Sequence, residues 1–254
     1  MDKGLGYSAV NTARSSLSTF VIVDGVPVGQ HYLVRRFMRA TFNERPALPR
    51  NNVTWDVQIV LNFLRKCSPV RQIPIAMLTK KLLVLMLLLS GQRGQTVHLL
   101  DIRNMTLGAA AATFRLGDPV KATRPGQHIQ ELKFKAYAPD RRLCVLTVLK
   151  AYLSRTLDNR GKVTRLFITT QKPFVAASRD TLRRWTRDVL AAAGIDMNIF
   201  TPHSTRAAAT SQAVGRVPLD TILKTAGWSQ AGTFQKYYNK TVQKDFQSAI
   251  LESK

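Results

Sequence analysis

The chain has 254 residues, with 38 Lys and Arg against 15 Asp and Glu, a net charge of +23 at pH 7 and an isoelectric point near 10.9. Hydrophobic residues make up 45%, which excludes a disordered chain, and the length allows one large domain or two small ones with a real core. The cations run along the whole sequence, so a broad basic surface is expected, and such an excess repels itself unless a polyanion is bound. Nucleic acid is the expected partner, although an anionic membrane surface or ribosomal RNA would satisfy the charge alone.

The two cysteines, Cys67 and Cys144, lie far apart and have no ligand-spaced neighbours, so neither a disulfide scaffold nor a zinc site is expected, and a reducing compartment fits. The opening MDKGLGYSAV lacks the apolar run of a signal peptide. LLVLMLLL (82–89) is too short to span a bilayer and reads as a buried helix. A soluble, intracellular protein is expected.

In chain order, residues 1–68 read as helices. Leu17, Phe20, Val21, then Tyr32, Leu33, Phe37 and Met38, then Trp55, Ile59, Val60, Phe63 and Leu64 recur at helical spacing, with Arg35, Arg36 and Arg39 on a wet face. RKCSPVRQIP (65–74), with two prolines and little periodicity, is the expected boundary between a domain at 1–70 and a larger one at 73–254. A helix is expected over 75–90, ending near Gly91, and another from Gln95. Thr113–Leu116 and Leu132–Ala138 read as strands, the second alternating Leu132, Phe134 and Ala136 with Lys133, Lys135 and Tyr137. The Gly- and Pro-rich GDPVKATRPGQHIQ (117–130) joins them as an extended turn. Arg142–Leu153 is helical, and Ser178 caps a helix reaching Ala193, stopped by Gly194.

Thr201 followed by Pro202 predicts a side-chain cap and a helix start. His203 and Arg206 then share one face of the opening turns, where free N–H groups and the helix dipole favour an anion. Gly215 and Pro218 end that helix; another covers about 219–226 and stops at Gly227, and Ser229 caps the next, which carries Tyr237 and Tyr238. Adjacent helical residues point about 100° apart, so one tyrosine at most faces a site. A His and an Arg one turn apart, then a ring N–H donor and a phenol, suit metal-free attack on a phosphodiester. Trp228 has two readings, a core side chain or a single N–H donor to phosphate. The tail 241–254 carries Val242, Phe246 and Ile250 at i, i+4 spacing, a stripe that can fold back on its own domain.

The order Arg93 in SGQRGQTVHLLDI, Lys121 in the turn between the strands, HSTR with His203 and Arg206, AGWS with Trp228, and Tyr237 nine residues beyond it resembles the tyrosine recombinase, or phage-integrase-like, family. Within that family the chain is most similar to recombinases of eukaryotic mobile elements of the DIRS-like and Crypton type. The resemblance covers nearly the whole chain. It implies a mainly α (α+β) fold with an N-terminal helical DNA-clamp domain and a catalytic domain holding a small antiparallel sheet. It also implies that the tail docks into a neighbouring copy in a tetramer on double-stranded DNA. One position departs from the pattern: Thr96 stands where the family usually has an acid.

The resemblance further implies that Tyr237 attacks phosphorus to give a 3′-phosphotyrosine, with Arg93 and Arg206 on the non-bridging oxygens, His203 assisting removal of the phenolic proton, and Lys121 protonating the leaving 5′-oxygen. Neither metal nor cofactor is required. Nuclear residence and service to a mobile element are expected from the same likeness. The rival readings are a DNA-binding descendant that no longer cuts, a type IB topoisomerase-like enzyme and, more distantly, a basic RNA-binding protein.

Overall fold

The computed structural model describes residues 4–46, 52–118, 131–228 and 231–243. It divides into two compact units, 1–50 and 51–254. The division falls ahead of the 65–74 segment, because the helix before that segment packs its buried residues into the second unit's core.

In the first unit, helix α1 (Tyr7–Leu17) is followed by a hairpin of β1 (Ile22–Val23) and β2 (Val26–Pro27), then by α2 (Tyr32–Glu44). Asp24 and Gly25, at φ 50° and 76°, make the tight turn between the strands, the left-handed pair that two-residue hairpins favour. The hairpin lies inside a stretch whose sequence reads as helix. Tyr7 meets Phe42 edge to face at 5.2 Å, and Arg14 Nη1 donates to the Gly29 carbonyl at 3.0 Å. Of the apolar positions expected to form helical faces here, Met38 is buried, whereas Leu17, Phe20, Val21, Tyr32, Leu33 and Phe37 are exposed. Two helices and a hairpin in about fifty residues have too little inward-facing surface to cover them.

The second unit is built around α4 (Ile75–Ser90), which is apolar on all sides and buries eleven of its residues. A helix without a polar face belongs inside. It packs against α6 (Val145–Arg160), α7 (Arg179–Ala192) and α8 (Ser204–Ala213). Gly91 ends α4 in the left-handed conformation at φ 58°. The Ser178 hydroxyl accepts from the Thr181 amide to start α7, as its sequence predicts. Lys81, fully buried, donates from Nζ to the Cys67 carbonyl at 2.7 Å.

Helix α3 (Val57–Lys66) and the short α5 (Gly94–His98) flank this core. Strands β4 (Met105–Leu107), β5 (Ala111–Phe114) and β6 (Leu132–Lys135) form an antiparallel sheet in that order. Phe114 pairs with Leu132 and Ala112 with Phe134, all buried, while Lys133 and Lys135 face outward. The first expected strand is displaced to Ala111–Phe114, and β4 adds a third. Helices α9 (Leu219–Ala226) and α10 (Ala231–Tyr237), with Trp228 between them, form a small separate cluster of Ile222, Ala226, Trp228 and Phe234.

Strand β7 (Thr241–Gln243) runs parallel to β3 (Val53–Trp55), joining the two ends of the second unit. The first residues of the tail thus fold back on their own chain; Phe246 and Ile250 lie outside the described residues. The fold is mostly helical with small sheets, as the sequence leads one to expect.

Candidate active site

Helix α8 begins at Ser204, later than the Thr201–Pro202 start expected from sequence. The Ser204 amide donates to the Thr201 carbonyl at 2.8 Å and that of Arg206 to the His203 carbonyl at 3.3 Å, so backbone acceptors, not the Thr201 side chain, satisfy the first N–H groups. His203 is the cap and Arg206 the third helical residue.

Arg206 is 1% exposed. A buried cation with no ion partner is expensive, and among the described residues no carboxylate is paired with it. Two helix ends hold it instead. Its Nη1 donates to the Gly91 carbonyl at 2.8 Å and to the Ala226 carbonyl at 2.7 Å, at the C-termini of α4 and α9. Both helices stop at left-handed glycines, Gly91 and Gly227, and both point the negative end of their dipole at the guanidinium. The guanidinium carbon also lies 3.8 Å from the centroid of the Trp228 ring. Burial, then repulsion from Arg93, lowers the Arg206 pKa to about 10, which the Tyr238 phenol offsets in part. The fold therefore holds two mutually repelling cations, Arg206 and the half-buried Arg93 at the cap of α5.

Trp228 is a core side chain whose ring N–H is left without a partner among the described residues. Its ring is buried against Phe234 and Tyr238, at 5.3 and 4.7 Å, while its Nε1–H finds no acceptor among the described residues. Arg206 Nε and Nη2 likewise find none. Three buried nitrogen donors from two stacked side chains thus await an acceptor, and each would cost about 1–3 kcal/mol if left unmet.

The phenol brought to this cluster is that of Tyr238. Its oxygen lies 3.3 Å from His203 Nε2 and its ring 5.2 Å from the Arg206 guanidinium carbon. The Ser211 hydroxyl anchors this turn, donating to the Tyr238 carbonyl at 2.6 Å and accepting from the Lys240 amide at 3.0 Å. Tyr237, the last residue of α10, is 56% exposed, with Lys236 Nζ 5.3 Å from its ring. The structure thus gathers Arg93, His203, Arg206, Trp228 and Tyr238. Lys121 lies outside the described residues.

Two further residues join the site: Thr96, marked in the sequence only by its departure from the family pattern, and Gln92, which the sequence does not announce. Gln92 and Thr96 are buried, and the Thr96 hydroxyl donates to Gln92 Oε1 at 3.3 Å while Gln92 Nε2 donates to the Thr225 carbonyl at 2.7 Å. The only hint was the neutral residue at 96. Beside the site, Arg183, Arg184 and Arg187 of α7 line an open groove with Thr201 and Pro202, immediately before His203. Among the described residues no group of three or more His, Cys, Asp or Glu could hold a metal ion, and no helix is long and apolar enough to cross a membrane.

This architecture is that of the tyrosine recombinases. The chain is similar to the XerH site-specific recombinase bound to palindromic difH substrate in a post-cleavage complex, with a TM-score of 0.59 and 15% identity over 91% of this chain and 63% of that one. The Tn1549 transposon integrase in complex with transposon right-end DNA gives 0.60 and 15%, covering 99% and 80% of the two chains. XerA recombinase gives 0.54 and 15%, covering 100% and 86%. This chain spans less than two thirds of the length of the XerH chain. No curated relative matches it. The model of the phage integrase family matches residues 70–244, and the chain belongs to that family.

Proposed function

We propose that this chain is a site-specific recombinase that cuts and rejoins double-stranded DNA through a 3′-phosphotyrosine, without metal or ATP. The observation that carries the proposal is the set of unmet N–H donors on Arg206 and Trp228, beside the cation of Arg93 and facing a phenol. A phosphodiester supplies the acceptors and the negative charge that this cluster lacks, and its pentavalent state, with more charge still, gains more. DNA binding fits the net charge of +23 and the DNA complexes among the similar structures.

In the reaction proposed, the phenolic oxygen of Tyr237 bonds to phosphorus as the bond from phosphorus to the 5′-oxygen breaks. The phenolic proton passes to His203, and Lys121 protonates the departing 5′-oxygen. The phosphotyrosine conserves the bond energy, so a 5′-hydroxyl from a second strand reverses the step. Tyr237 is assigned on its nine-residue distance from Trp228. It is exposed in the structure, so its attack needs the end of α10 to turn, exchanging Tyr238 for its neighbour about 100° away around the helix.

A second reading makes Tyr238 the nucleophile, because its hydroxyl already meets His203. We further propose that the N-terminal unit, 1–50, serves as the DNA clamp, that four copies assemble on DNA with the tail beyond Gln243 docking between them, and that the substrate is a eukaryotic mobile element of the DIRS-like or Crypton type, acted on in the nucleus.

The test is a nicked suicide duplex in excess EDTA. The wild-type chain is expected to form a covalent protein–DNA adduct, and Tyr237→Phe to abolish it while Tyr238→Phe does not. The reverse pattern assigns the chemistry to Tyr238. Absence of any adduct favours a DNA-binding protein that does not cut, and relaxed plasmid without recombinant product favours a type IB topoisomerase-like enzyme.

A further inference from the structure

We propose that Gln92 and Thr96 form a neutral clasp that positions Arg206 for phosphate, a role that rests on the function proposed above. The two carbonyls that hold Arg206 Nη1 belong to Gly91 and Ala226, far apart in sequence. Gln92 spans the same two segments: its backbone follows Gly91 directly, and its Nε2 reaches the Thr225 carbonyl, one residue before Ala226, at 2.7 Å. The length of one glutamine side chain therefore sets the separation of the acceptors that grip the guanidinium.

The amide can face only one way. A carbonyl accepts and never donates, so the NH2 end of Gln92 must point to Thr225, which leaves Oε1 for the Thr96 hydroxyl at 3.3 Å. Thr96 fixes this orientation from α5, the helix that Arg93 caps. Gln92 is 8% and Thr96 4% exposed, so water is a poor substitute for either partner. A Cβ at Gly227 would lie 3.4 Å from Gln92 Nε2, and the glycine's bare backbone leaves the bridge unobstructed.

Neutrality is what the clasp adds. A carboxylate at position 96, in the helix that Arg93 caps, would add a negative charge there; Thr96 adds none. The threonine–glutamine bridge holds the geometry without a charge of its own.

Gln92→Leu, Thr96→Val and Thr96→Ser test this, with single-turnover adduct formation on the nicked duplex measured beside duplex affinity and thermal melting. Gln92→Leu and Thr96→Val are expected to slow adduct formation by roughly tenfold or more, as small misplacement of a catalytic group does, with affinity unchanged and the protein still folded at the assay temperature despite the lower melting that a stranded buried partner brings; Thr96→Ser, which keeps the hydroxyl, restores the rate. Wild-type rates in both variants, or losses that merely follow melting, overturn the clasp and leave the recombinase reading standing.

If the wild-type chain forms no adduct, that reading fails and the clasp is judged without DNA. In protein labelled with 15N-arginine, the Arg206 guanidinium resonance, identified by its loss in Arg206→Met, is expected to be sharp in the wild type. It should broaden or exchange faster in Gln92→Leu and Thr96→Val; an unchanged resonance overturns the proposal.

Discussion

The Arg206 guanidinium lies over the indole of Trp228, its central carbon 3.8 Å from the ring centroid, while the indole N–H remains unpaired among the described residues. The face of the ring stabilises the cation, and its edge keeps an N–H available to an acceptor. Trp228→Phe separates the two roles, keeping a face and removing the donor. Adduct formation is expected to slow about 10- to 100-fold, the value of one hydrogen bond to a charged acceptor, with melting little changed. A Phe variant that cleaves at the wild-type rate would leave the tryptophan a packing residue.

Arg206 is a charge buried without an anionic partner among the described residues, so an oxyanion should stabilise the fold by binding there. Inorganic phosphate at constant ionic strength is expected to raise the melting temperature of the wild-type chain and not that of Arg206→Met. Equal shifts in the two proteins would show that the ion acts elsewhere.

Asp101 supplies a pH signature outside the site. Burial alone would raise its carboxyl, but hydrogen bonds from the Arg103 side chain and amide and from the Thr164 hydroxyl hold it at about 2, against 3.8 ordinarily. A carboxyl depressed in the fold contributes stability above pH 3.8 and loses it as pH falls toward 2. The contribution is on the order of 1–2 kcal/mol once solvent screening of the exposed Arg103 is counted. Urea unfolding should show Asp101→Asn weaker than wild type at pH 7, with the gap closing toward pH 2. A gap independent of pH would remove the carboxylate from the account.

The arginines of α7 predict a salt effect. If Arg183, Arg184 and Arg187 each meet a phosphate, replacing all three by alanine lowers duplex affinity and reduces the slope of log affinity against log salt by about 0.9 per lost contact. Fluorescence anisotropy across a salt series measures both. A weakened affinity with an unchanged slope would mean that these side chains act through the fold.

What the sequence made legible was local. Pro74 and Gly91 bracket α4, Ser178 and Gly194 bracket α7, and Gly227 ends α9, each through backbone geometry that one or two residues decide. The Leu132–Lys135 alternation needed only the pleat. Strand β4 escaped notice because Leu107 and Thr106 are exposed, so no apolar alternation marks it. The Asp24–Gly25 turn was readable but lay among helical apolar spacings. The division at residue 50 was hidden because α3 declares its allegiance only through what it packs against. At the site, the His203–Arg206 spacing could be read directly. The presence of Tyr238 in the cluster and the reach of Gln92 to Thr225 depend on segments that meet only in three dimensions.

The parallel pairing of Val53–Trp55 with Thr241–Gln243 has a bearing on how the protein is made. One partner leaves the ribosome before the other and waits for every helix from α3 to α10 to follow. Lys240, whose amide secures the turn carrying both phenols, immediately precedes the late partner. A chain that stops after Trp228 but short of Lys240 can hold Arg206 between its two carbonyls and against the indole, yet lacks the turn and strand that fix Tyr238.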